Sequence, residues 1–167
     1  MKRSLSMLLT LAVIAIATHL VLGKSKADAA FEKLKSLAGE WQNSSSDAKS
    51  VKVSYQVVSG GSALMESLTP ADEPPMITMY HLDGDRLLMT HYCSVGNQPR
   101  MKAQLPAGEI KKLNFTMVDA TNMAKSSDMH MHSLEFTFQD DDHITQVWSL
   151  RQEGKDTPMT FNLERKK

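Results

Sequence analysis

Residues 129–150 read MHMHSLEFTFQDDDHITQVWSL, and the fold turns on them. Two alternating runs, Met129 to Phe138 and Ile144 to Leu150, flank a polar loop from Gln139 to His143. Successive side chains of a strand point to opposite sides. His130, His132, Leu134, Phe136 and Phe138 therefore share one face of the first run, and Met129, Met131, Ser133, Glu135 and Thr137 share the other. Ile144, Gln146, Trp148 and Leu150 are the apolar set of the second. A five-residue loop sets Phe138 opposite Ile144 and Leu134 opposite Trp148, which keeps both apolar sets on one side, as register demands. The even face is thus the expected interior, and His143 belongs to a solvated loop.

The same texture extends outward. Alternating runs occur at Glu40 to Asn43, Val51 to Val58, Ser62 to Leu68, Met76 to Leu82, Arg86 to Cys93, Arg100 to Leu105, Ile110 to Val118 and Met159 to Arg165. Turn compositions such as Gly60-Gly61, Pro74-Pro75, Asp83-Gly84, Gly96-Asn97 and Gly154-Lys155-Asp156 separate them. Ten strands with short loops and no helices between them describe an antiparallel meander. Such a meander hides its edges most simply by closing into an up-and-down barrel, with a sandwich as the alternative. Ahead of it, Phe31, Leu34 and Leu37 make one face of a short helix over Ala30 to Leu37. The fold class expected is all-β, one barrel domain over residues 30–167.

Residues 1–29 read differently. Lys2-Arg3 precede an apolar run from Leu5 to Leu22, and Ala27-Asp28-Ala29 ends in small residues, the order of a signal peptide cut after Ala29. The alternative is an uncleaved anchor, since the apolar run approaches spanning length. With 19 basic and 19 acidic residues the whole chain is neutral. Removing 1–29 leaves 15 basic and 18 acidic residues, so a nucleic-acid partner is not expected. The expected product is a soluble, monomeric, periplasmic or secreted protein without stable membrane insertion. Cys93 is the single cysteine, so no internal disulfide forms and the core must hold the fold.

Gly39-Glu40-Trp41, opening the first strand after a short helix, resembles the calycin superfamily of lipocalins and fatty-acid-binding proteins. The phrases Leu37-Ala38-Gly39-Glu40-Trp41, Met79 to Leu87, Thr90-His91-Tyr92-Cys93 and Asn97 to Met101 look like a group of exported bacterial proteins with a lipocalin-like domain. That resemblance covers the whole of residues 30–167 and brings a fold and a compartment, but no activity. It implies that Trp41 plugs one end of the barrel and that Arg165, from the last strand, lies over the indole. Nitrobindins, in the same superfamily, bind haem through a late histidine, and nothing after His143 is His here.

Strand direction in a meander brings His91 and Cys93, which end the fifth strand, to the same barrel end as His130 and His132, which begin the eighth. His81 lies at the other end. Parity turns Leu87, Met89, His91 and Cys93 inward. Imidazole and thiol are ligands for zinc, copper or iron, and His130 with His132 is the pair best spaced to chelate. Glu66 and Glu135 fall on solvent-facing parities. No phosphate loop, nucleophile elbow or zinc-protease helix occurs. The expected function is binding of a small apolar or amphipathic molecule at one mouth. Leu87, Met89, Phe136, Trp148 and Phe161 would cover it, and His91, His130, His132 and Arg100 would orient its polar end. No cofactor is expected. The alternatives are a transition-metal or haem protein with redox chemistry, and an enzyme acting at the same mouth.

Overall fold

A computed structural model describes residues 24–43, 51–71 and 73–167. The basic residues and apolar run expected to direct export lie outside these. A helix, α1 (Lys26–Lys35), precedes ten strands: β1 (Gly39–Asn43), β2 (Val51–Val58), β3 (Ala63–Pro70), β4 (Met76–Asp83), β5 (Arg86–Tyr92), β6 (Gln98–Gln104), β7 (Lys112–Thr121), β8 (His130–Phe138), β9 (His143–Gln152) and β10 (Lys155–Arg165). Every strand pairs antiparallel with its chain neighbours, and β1 pairs with β10, so the sheet closes into an up-and-down barrel with no free edge.

The β8–β9 register is the expected one along most of its length, with Phe138 opposite Ile144 and Leu134 opposite Trp148. At β9–β10 the expected loop is replaced by a tight hairpin. Glu153 and Gly154 have φ of 51° and 79°, a two-residue turn whose twist matches the strands it joins, so β10 begins at Lys155 rather than after Pro158.

Helix α1 starts earlier than the apolar spacing alone predicts. Ser25 caps it, its Oγ accepting from the Asp28 backbone N–H while Asp28 accepts from the Ser25 N–H, and Ala27 and Ala30 extend the buried stripe of Phe31 and Leu34. The expected cut after Ala29 falls inside this helix. No helix among the described residues is long and apolar enough to cross a membrane.

The helix and the first strand close one end of the barrel. Trp41 is 1% exposed, donates from Nε1 to the Leu37 carbonyl at 2.8 Å and meets Tyr55 edge-on. The Arg165 guanidinium lies 4.4 Å from the indole centroid and donates to the carbonyls of Ser36, Ala38 and Asp141. Gly39 has φ +130°, and a Cβ there would come within 3.3 Å of Arg165 Nη1. Three roles therefore meet at one point: Trp41 fills the end, Arg165 ties it to the helix and the β8–β9 loop, and Gly39 leaves the room. Such a stacked cation is worth about 0.5–2 kcal/mol.

Between this end and the open mouth the barrel is filled. Tyr80, Phe115, Phe136, Leu64, Leu87, Met89, Met101, Leu113, Leu134 and Ile144 are all fully buried. Leu87, Met89 and Phe136 are thus core, not the walls of a ligand cavity. Leu87 pairs with Leu82 beside the β4–β5 turn, at the closed end.

Candidate functional site

The opposite end, the mouth, which no helix covers among the described residues, is reached by the late residues of β3 and β5 and the early residues of β4, β8 and β10. Here Leu68, Met76, Met131, Met159 and Phe161 surround His91 and Trp148 in a cavity of about 20 Å³. That is room for one small occupant. The lining is apolar apart from the His91 imidazole, since the Trp148 N–H is turned to Gln146.

His91 is 3% exposed. Its Nδ1 lies 2.9 Å from Thr78 Oγ1, and its ring is tilted on Trp148 with centroids 4.6 Å apart. Its Nε2 is buried and has no hydrogen-bond partner among the described residues. Burial holds this imidazole down at a pKa of about 4, so it is neutral at physiological pH, with one ring nitrogen carrying the proton and the other a lone pair.

A second buried polar system lies below it. Glu66, fully buried, is the direct register partner of both Tyr55 and Thr78. Tyr80 Oη donates to its Oε2 at 2.5 Å, and Tyr55 Oη (3.3 Å) and Gln146 Nε2 (2.6 Å) donate to its Oε1. Gln146 also donates to Tyr55 Oη and accepts from Trp148 Nε1 at 2.8 Å. Burial raises the Glu66 carboxyl above the usual range although its three donors pull the other way, and it raises both phenols well above theirs. Parity reasoning placed Glu66 outside, because a carboxylate was read as a solvent-facing residue. In β3 it alternates with the buried Leu64 and Leu68, and Ala63, Met65 and Ser67 take the outer face. The usable signal was Gln146 in an otherwise apolar set, which called for a buried polar partner. Glu135 is outside as expected, paired with Lys112.

The histidine pair departs from its expected face. The β8–β9 register shifts between Met131 and Ser133, so His132 is the extra residue of a bulge. Above the bulge the alternation reverses: Met131 stands opposite Leu150 and lines the cavity, while His130 stands opposite Arg151. Arg151 pairs with Asp156 on the outer surface. His130 is buried, donates from Nδ1 to the Asp128 carbonyl at 2.7 Å, and has its Nε2 3.2 Å from His132 Nδ1. The two rings therefore satisfy each other. Burial, then the neighbouring Arg151, lowers the His132 pKa.

Arg100 likewise leaves the mouth. It is on the outer face opposite Thr90, held by both carboxylate oxygens of Asp119, and that carboxylate keeps the guanidinium firmly charged. Cys93 is buried in the core, its backbone closing a turn with Gly96 and Asn97. His81 sits toward the closed end and His143 is exposed beside Asp140. Of the predicted mouth residues, the cavity gathers His91, Trp148 and Phe161. Among the described residues no three His, Cys, Asp or Glu side chains converge as a metal group. Comparison of the chain with protein-family models and with curated proteins finds no match in either.

Proposed function

We propose that the protein is an exported, lipocalin-like barrel that binds a small ligand at its open mouth, with His91 as the polar anchor. One observation carries this reading. Buried polar atoms are nearly always paired, and His91 Nε2 has no partner among the described residues, in a side chain that lines the cavity. Leaving such an atom unpaired costs about 1–3 kcal/mol, which a ligand carrying one hydrogen-bonding group recovers on binding. The apolar rim covers the rest of that ligand, and methionine, flexible at three torsions, adapts to its shape. Because the interior below is packed, the ligand is seated on top of Trp148 rather than deep in the barrel.

Phenol and toluene test this, being equal in size and differing by one hydroxyl. The chain has two tryptophans, so the Trp148 indole N–H is followed by NMR. Phenol should shift it at concentrations about fivefold lower than toluene, for roughly 1 kcal/mol of hydrogen bond. His91→Phe should erase the difference. No response to either compound, or the same preference in His91→Phe, would remove the proposal.

A further inference from the structure

Thioether sulfur surrounds the unpaired imidazole from several strands. Met76 comes from the start of β4, Met131 from the start of β8 and Met159 from β10, and all three border the same cavity as His91. Met76 and Met131 are buried and Met159 packs against the core. As apolar filler, leucine would serve at these places and alternates with them elsewhere in the interior. Three methionines and one imidazole lining the same cavity are instead a donor set with a chemical preference.

Soft, neutral sulfur donors with one imidazole favour a soft ion of low charge, and copper(I) is the biological metal of that kind. Zinc, calcium and magnesium want thiolate, several imidazoles or oxygen. That matches the lack of any converging group of three His, Cys, Asp or Glu among the described residues. A single positive charge is also the least costly to bring into an apolar pocket, and Trp148, in the same lining, adds an aromatic face that attracts cations. The bulge at His132 completes the set, because without that extra residue Met131 would face outward and a histidine would stand in its place.

We infer that the mouth binds one copper(I) ion through the thioether sulfurs of Met76, Met131 and Met159 and the Nε2 of His91. This rests on the reading of the mouth as the ligand site and names the ligand it takes.

The test is a competition in the absence of oxygen, in which the metal-free full chain is added to copper(I) held by the chromophoric chelator bicinchoninate. The chain should withdraw one copper per molecule and, in parallel, shift the Trp148 indole resonance. Met131→Leu and Met159→Leu keep volume and apolarity and should each weaken binding tenfold or more with little change in the urea midpoint. The double variant should leave the chelator complex intact. His132→Ala should bind as the unaltered chain does, and zinc should not compete. Failure to withdraw copper, or equal withdrawal by the double leucine variant, overturns the inference. If copper fails while phenol still discriminates through His91, the mouth remains a ligand site for a different ligand. If both fail, both readings fall.

Discussion

Glu66→Ala should be among the most damaging single substitutions in this chain, and the size of the effect follows from what it strands. The carboxylate accepts from Tyr55, Tyr80 and Gln146 in a fully buried position. Its removal leaves two phenols and an amide facing a space without an acceptor, at about 1–3 kcal/mol each. The three share one network and partly rescue one another, so the losses do not add. About 3–5 kcal/mol is expected, a large part of the 5–15 kcal/mol that holds a typical domain. Glu135→Ala is the comparison, since its ion pair with Lys112 is half-exposed and such pairs contribute about 0–1 kcal/mol. Urea denaturation of both variants at pH 7 reads the difference directly. Glu66→Gln separates charge from shape. Burial raises the folded-state carboxyl above its unfolded value, so the native protein holds the proton longer than the unfolded chain. Stability is then full below the unfolded pKa of about 4.3 and falls as pH rises through the folded one. The glutamine variant should lack that decline. Equal midpoints for Glu66→Ala and Glu135→Ala would refute the reasoning, because the network would then contribute nothing.

His91 should act in the opposite direction: its pKa is depressed to about 4, so the unfolded chain takes up the proton first. Stability of the metal-free protein should rise by about 1.4 kcal/mol per pH unit between pH 4 and 6.5, and His91→Gln, followed by urea unfolding across that range, should flatten the rise. Trp41→Ala opens the closed end and should cost about 3–5 kcal/mol; a midpoint no lower than that of Lys155→Ala, on the exposed face, would show that the plug is not structural. A cut after Ala29 would delete Ser25, Asp28 and the buried Ala27 from α1, losing a cap worth about 1 kcal/mol as well as core. Intact mass of exported protein should therefore place its N-terminus ahead of Ser25, and a start at Ala30 would show that the capping box is dispensable.

The barrel was legible because its strands obey alternation where they bury apolar residues. Val51–Val58 and Met76–Asp83 stand almost where the pattern put them, and the β8–β9 pairing follows from the apolar sets of two adjacent runs. Trp41 and Arg165 could be placed together because the resemblance carried by Gly39-Glu40-Trp41 implies it, while the room that Gly39 leaves for Arg165 emerges only from the structure. Alternation failed in two circumstances, each with a physical cause. A bulge resets parity without any glycine to announce it, so His130 and His132 were assigned the face that Met131 takes. A buried carboxylate looks like a surface one until its donors are known, and those of Glu66 come from β2, β4 and β9, as many as 80 residues away in sequence. Arg100 misled for a simpler reason. Its strand was placed near the mouth correctly, but its partner Asp119 holds it on the outer wall.

The two buried polar systems divide the interior between structure and function. Glu66 has acceptors engaged on both oxygens, and Gln146 and Trp148 continue the same closed chain of bonds. A network satisfied in this way fixes one arrangement of the strands it joins and has little left to offer a ligand. His91 is bonded at Nδ1 and has no partner at Nε2 among the described residues, so the proposed ligand would meet a side chain already positioned by the wall. Trp148 links them, since its N–H is committed to the lower network while its ring carries His91 and lines the cavity. The lower network therefore locks the indole that lines the cavity, the seat of the proposed ligand. Substitution of Glu66 should lower stability first and binding only through a loosened Trp148, whereas substitution of His91 should weaken binding while the urea midpoint at neutral pH stays close to its original value.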